Sequence, residues 1–147
     1  MKITICGSIA FYEEMLKTKE ALEEMGHKIK MPPSKLKDGA GKSIGVSDYY
    51  EIRKKGSDEK WVWDRKKESI LKHFDKIKWS DAILVLNLEK NNISGYIGAN
   101  TLIEMGLALY LDKKIFSFNK IPKMSCEEEI KGMSPIIINK DLNKINL

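Results

Sequence analysis

The sequence predicts an α/β protein: a doubly wound sheet of about five parallel strands with helices on both faces. Three observations carry that prediction. Short β-rich runs alternate with segments of helical period along the whole 147-residue chain. The run "DAILVLN" at 81–87 is continuously apolar, as a strand buried on both faces must be. Strand ends turn through glycine, at Gly7-Ser8 and again in the loop 94–98, as tight strand-to-helix connections require.

Residues 2–6, "KITIC", are the first strand. Residues 11–25 follow as a helix, with Phe11, Met15, Leu22 and Met25 on its apolar period and Gly26 as its stop. "HKIKM" (27–31) is the second strand, closed by Pro32-Pro33. Residues 61–79 read as a helix through Val62, Ile70, Phe74 and Ile77. After the third strand at 81–87 come the helix "GANTLIEMGLALYL" (98–111) and the fourth strand "KKIFSF" (113–118). A short helix, "SCEEEIKGM", leads to the fifth strand "PIIIN" at 135–139. Residues 32–60 have no clear period, so a long loop, lid or insertion is expected there within a single domain spanning 1–147.

Hydrophobic residues make up 42% of the chain and charged residues 32%, which fits a globular domain with a sizeable core. No apolar run approaches the ~20 residues of a membrane span, and "MKITICGS" lacks the apolar stretch of a signal peptide. Cys6 and Cys126 have no metal-ligand spacing and read as free thiols, which points to the cytoplasm. The net charge of +5 is concentrated: residues 35–78 hold 13 Lys/Arg against 8 Asp/Glu, the entire excess. Such a sector indicates either an anionic partner, nucleotide phosphate or nucleic acid, or a solvated helix face beside a lysine-rich loop.

"LKDGAGKSIG" resembles the end of a P-loop at Gly41-Lys42-Ser43, but Leu36 stands where the first glycine belongs. Ile44-Gly45-Val46-Ser47 is also a poor helix start, so the stretch reads as a decoy. "CGSIAF" is more informative. A buried strand turning through Gly7, Ser8 and Ile9 into a helix offers backbone N–H groups to a ligand, although Ser8 can equally be an ordinary helix cap. The sharpest feature is Glu104, the one carboxylate in the apolar helix 98–111. Asn100 and Thr101 share its face, whereas Leu102, Gly106 and Leu109 lie opposite. A buried unpaired acid costs several kcal/mol or takes up a proton. Glu104 therefore meets a partner such as a lysine, or it faces a polar cavity. In a doubly wound sheet ligands sit at the carboxyl ends of the strands. Gly7, Ser8, Asn87, Ser94, Gly95, Gly98 and Asn100 fall on that edge, and His27 on the other.

Four stretches in order, "KITICGSIAF", "LEEMGHKIKMPP", "SDAILVL" and "LIEMGLALYLDKKIFSF", resemble the nucleoside 2-deoxyribosyltransferase superfamily. That group includes the 2'-deoxynucleoside 5'-monophosphate N-hydrolases, whose glycine-serine strand end is close to "CGSI". The resemblance implies a flavodoxin-like fold, a homodimer or larger assembly, and cleavage of the N-glycosidic bond of a nucleoside or nucleotide. It also implies that Glu104, followed by Met105-Gly106, is the nucleophile. A carboxylate beneath the anomeric carbon can capture the positive charge that develops as the bond breaks. The chain departs from the family in three places. The position of the family's acid before the third strand, counted back from Asp81, holds His73. Imidazole titrates near neutrality, so His73 is either the proton donor to the leaving base or a surface histidine. Ala10 stands where the monophosphate hydrolases carry an arginine, and their phosphate-contacting serine aligns near Gly98, with Ser94 close by. Phosphate recognition is then expected only if the basic loop at 35–67 supplies it.

The expected activity is cleavage or transfer at an N-glycosidic bond, with Glu104 and His73 as catalytic residues. Gly7, Ser8, Ile9, Asn87, Ser94, Gly95, Gly98 and Asn100 would line the substrate pocket. No metal or redox cofactor is implied, since the sequence has no cysteine–histidine cluster and its two histidines lie far apart. One of Trp61 and Trp63 could stack on a base; at i, i+2 spacing they point to different sides of a helix. Two other readings stay open. A nucleotide sensor that lost catalysis with the aspartate would bind without releasing base. Nucleic-acid binding through Arg53, Lys54 and Lys55 would weaken steeply with salt.

Overall fold

The computed structural model describes residues 1–146. Its main sheet contains β1 (Lys2–Cys6), β2 (Lys28–Lys30), β5 (Ala82–Val85), β6 (Lys114–Ser117) and β7 (Ile136–Ile137), in the order β2-β1-β5-β6-β7. Every neighbouring pair is parallel. The crossovers are α1 (Tyr12–Glu24), α3 (Lys60–Trp79), α4 (Ala99–Tyr110) and the short α5 (Glu127–Gly132). This is the doubly wound arrangement that the alternation of elements predicts, in the flavodoxin-like form that the family resemblance implies.

The pleat divides the core into two layers. Ile3, Ile5, Leu84 and Phe116 turn toward α1 and meet Met15 and Leu22. Cys6, Ile83, Val85 and Ile115 face the other way, against Ile77, Met105 and Ala108 of α3 and α4. Burying each such side chain stabilises the fold by about 1.5–3 kcal/mol. α1 stops where expected. Gly26 takes φ +87°, and His27 N–H returns to the Leu22 carbonyl at 3.0 Å.

Residues 32–60 depart from expectation. They contain an antiparallel hairpin, β3 (Lys35–Lys37) with β4 (Ser43–Gly45), and the helix α2 (Val46–Lys54). Each hairpin strand has three residues and places only one large apolar side chain, Leu36 or Ile44, at its centre, too little for a period to show. α2 starts at Gly45 with no side-chain cap, and Tyr49 is its one buried residue. The P-loop likeness is settled by the hairpin turn, in which Asp38 Oδ1 accepts from the amides of Ala40 and Lys42, both at 2.9 Å. An internal carboxylate occupies the N–H groups that a phosphate would need.

Candidate active site

At the carboxyl end of the sheet, the turn after β1, the middle of α3, the start of α4 and the β3-β4-α2 unit enclose a cavity of about 1080 Å³. Glu104 lies at its floor. Helical geometry turns Thr101, Glu104, Met105 and Ala108 inward together, and Glu104 is only 8% exposed. Its Oε2 lies 3.8 Å from His73 Nε2, which in turn lies 3.5 Å from Cys6 Sγ. His73 comes from the middle of α3 and Cys6 from the last residue of β1, so three elements deliver the cluster.

Electrostatics fix what these groups are near neutrality. Burial pushes the Glu104 carboxyl up to about 7, against the restraining effects of the Cys6 thiol and the Lys66 and Lys76 ammoniums. Burial, reinforced by Lys76, brings His73 down to about 4. His73 is then a neutral imidazole, and its 3.8 Å contact with Glu104 is neither an ion pair nor a hydrogen bond. Among the described residues no lysine forms an ion pair with Glu104. Burial also lowers Lys66 in the cavity wall to about 8, helped by Arg53.

The rest of the wall is aromatic and cationic. Tyr49, Tyr50 and Tyr96 face the cavity, with the Arg53 guanidinium 5.1 Å from the Tyr49 ring and 5.4 Å from the Tyr50 ring. Arg53 Nε is buried without a hydrogen-bond partner, a deficit of about 1–3 kcal/mol that an anionic ligand can relieve. Lys90 Nζ donates to Ser8 Oγ at 2.9 Å and stands between the rings of Tyr50 and Tyr96. The α4 ladder begins with Leu102 N–H on Gly98 O, which leaves the amides of Ala99, Asn100 and Thr101 free at the cavity. Such a helix start attracts anions.

Seven of the residues expected from sequence line this cavity: Gly7, Ser8, Ile9, His73, Gly98, Asn100 and Glu104. Ser8 caps the following turn by accepting from Ala10 N–H at 3.3 Å, and it borders the cavity. A Cβ on Gly7 would stand 3.0 Å from the Leu86 carbonyl oxygen, so any side chain there crowds the neighbouring strand end.

Asn87, Ser94 and Gly95 do not line it. Asn87 is a buried clamp that accepts from Asn119 N–H at 2.8 Å and donates to the carbonyls of Gly95, Asn119 and Lys120. Gly95, at φ +72°, lets the Lys120 carbonyl approach to where a Cβ would leave only 2.5 Å. These residues hold the 94–98 and 118–120 loops together, and Ser94 points out from that junction into solvent. Neither tryptophan reaches the cavity. Trp61 packs against Tyr49 and Gly39, and Trp63 is 49% exposed. Tyr49, Tyr50, Lys66, Lys90 and Tyr96 escaped the sequence reading, and Arg53 was singled out there only as part of a nucleic-acid surface. The basic sector was the only signal for Arg53 and Lys66, and Tyr49-Tyr50 lay in the segment without a period. His27 lies at the opposite edge, beside the Met1 amine.

No protein-family model and no curated protein matches the chain. Among solved structures, the 2-deoxyribosyltransferase of the psychrotolerant bacterium Bacillus psychrosaccharolyticus aligns with it at a TM-score of 0.51. The chain has the 2-deoxyribosyltransferase fold. The alignment covers 80% of this chain and 72% of that one, at 16% identity, so what is shared is architecture. Within the deoxyribosyltransferase fold, the C-terminal edge of the central strands is where this chain places its cavity.

Proposed function

We propose that this protein cleaves or transfers at the N-glycosidic bond of a nucleoside or nucleoside 5'-monophosphate, with Glu104 as nucleophile. The observation that carries the proposal is a buried carboxylate at the floor of an aromatic, cation-lined cavity. The fold of a 2-deoxyribosyltransferase agrees with it. The base would stack among Tyr49, Tyr50 and Tyr96, and the sugar would lie over Glu104 beside Asn100. A 5'-phosphate would meet Arg53, Lys90 and Ser8, which replaces the recognition lost at Ala10.

In the ionised form, Glu104 Oε attacks the anomeric carbon as the bond to the base breaks, giving a glycosyl-enzyme ester that water or a second base resolves. The electrons of the broken bond leave with the base, which needs a proton. An imidazole kept neutral by burial and by Lys76 is a poor donor, so His73 acts as a positioning residue beside Glu104. The ammonium of Lys66, lowered to about 8, is the better acid in the cavity.

The test is release of free base from ribo- and deoxyribonucleosides and their 5'-monophosphates, with and without an acceptor base. Glu104→Ala should lower release by roughly 10³-fold or more. Saturable binding of a panel member with no base released by wild type would replace the enzyme with a nucleotide sensor.

A further inference from the structure

Sequence spacing offers no metal site, yet the fold gathers a thiol, an imidazole and a carboxylate whose ligand atoms all lie within 4.8 Å of one another. We propose that Cys6, His73 and Glu104 bind one divalent transition-metal ion, Zn²⁺ by preference, with its fourth position open to the cavity. Occupancy withdraws Glu104 from chemistry. That consequence rests on the glycosidic reading above, whereas the binding site itself does not.

The geometry is close to what a tetrahedral ion demands. Zn–S near 2.3 Å and Zn–N near 2.05 Å imply a sulfur–nitrogen separation of about 3.6 Å. Cys6 Sγ and His73 Nε2 stand 3.5 Å apart. The corresponding nitrogen–oxygen separation is about 3.4 Å, against 3.8 Å between His73 Nε2 and Glu104 Oε2. Closing the set asks the carboxylate to move by roughly one ångström, within the reach of a side-chain rotation. The other two donors are held by the core: Cys6 ends a central strand, and Ile77, one turn beyond His73, is wholly buried.

The chemistry of the donors selects the ion. Binding forms S–Zn and O–Zn bonds and releases to solvent the thiol proton and, from chains in which Glu104 is protonated, the carboxyl proton. The thiolate and carboxylate then balance the 2+ charge, while His73 coordinates as neutral imidazole through Nε2. The buried group carries no net charge, which removes the main penalty of an ion in the interior. The Lys66 and Lys76 ammoniums oppose any cation here, so one strongly bound through sulfur is favoured. Mixed sulfur, nitrogen and oxygen donors suit Zn²⁺ or Co²⁺ and disfavour Mg²⁺ and Ca²⁺, which need oxygen shells.

Co²⁺ is the probe. Titrated into the chelator-treated full chain, it should give a near-ultraviolet thiolate charge-transfer band and the intense visible bands of tetrahedral cobalt. The signal should saturate at one ion per chain, vanish on adding an equivalent of Zn²⁺ and persist in excess Mg²⁺. It should be lost in Cys6→Ala and kept in Cys126→Ala. Glu104→Gln and His73→Gln should each weaken binding by about tenfold or more. Absence of the band in wild type overturns the proposal, as does a band that survives Cys6→Ala or needs Cys126. Should Cys6→Ala fail to fold, His73→Gln decides, and unchanged Co²⁺ affinity overturns the site. The spectra require no substrate. Cobalt binding without base release would sink the glycosidic reading alone, and base release without a cobalt spectrum would sink the metal site alone. If both hold, Zn²⁺ should inhibit base release and a chelator should restore it.

Discussion

Glu104 and His73 are displaced in opposite directions by the same burial, and stability should record it. In the unfolded chain the acid titrates at 4.5 and the imidazole at 6.5; in the fold they titrate at about 7 and about 4. Between pH 4.5 and 7 folding takes up a proton at Glu104, so this group makes the protein less stable as pH rises. Between pH 4 and 6.5 folding sheds a proton at His73, so the imidazole makes it more stable as pH rises. Each effect is about 3 kcal/mol across its window, and the two nearly cancel where they overlap. Removing one partner exposes the other. Relative to wild type, Glu104→Gln should gain stability as pH rises from 4.5 to 7, and His73→Asn should lose it between 4 and 6.5. Urea melts at several pH values would measure both; parallel curves for the two variants would contradict the assignment. The same titration bears on turnover. If ionised Glu104 is the nucleophile and the Lys66 ammonium the acid, kcat/KM should climb tenfold per pH unit below about 7 and fall again above about 8. A rate independent of pH between 5 and 8 would remove Glu104 from that part.

At the scale of single elements, α4 does two jobs on two faces. Inward it carries Thr101, Glu104 and Met105; outward it exposes Ile103 (46%), Leu109 (52%) and Tyr110 (85%), with Gly106 between them. From sequence, a helix with no polar side is either deeply buried or shared with a second subunit. Leu71 and Trp63 on α3 add to the exposed apolar surface. We propose that this surface seats a second copy of the chain, giving the homodimer that the family resemblance implies. Light scattering at micromolar concentration should give twice the chain mass for wild type and the chain mass for Tyr110→Glu. A wild-type monomer would refute it. The loop clamp is a second element-level device. Gly95→Ala must push back the Lys120 carbonyl and disturb the bonds that Asn87 makes, at a cost of about 1–3 kcal/mol in melting experiments.

For the whole molecule, what was legible follows from how each part is held. The main sheet announces itself because buried parallel strands must be continuously apolar, and "DAILVLN" is. Glu104 stood out because a lone acid on an apolar helix has no inexpensive explanation. Asn87 and Gly95 were misplaced because a strand end at the ligand edge can serve a loop as well as a ligand. Nothing local in the sequence distinguishes the two. Cys6 and His73 were read separately since 67 positions separate them in sequence, and only the packing of α3 on β1 brings them together. The β3-β4-α2 unit was unreadable because its elements are short and bury little. It nevertheless supplies Tyr49, Tyr50 and Arg53. Arg53→Met should therefore lower kcat/KM for 5'-monophosphates by about ten- to a hundredfold, the worth of a charged hydrogen bond, and leave unphosphorylated nucleosides nearly unchanged. An equal loss on both substrates would assign the arginine a structural part.

On the proposed reading, the reacting group and part of the recognising set belong to separate stretches of chain. Glu104 is rooted in α4 against the central sheet, whereas Tyr49, Tyr50 and Arg53 arrive together on one contiguous insert between β2 and α3. Heredity can act on these stretches independently. A recombination that exchanged the insert would change what is admitted in a single event, with the chemistry below it untouched. Point changes in the core would seldom be survivable. Descendants of such a chain would diverge first in diet and last in reaction.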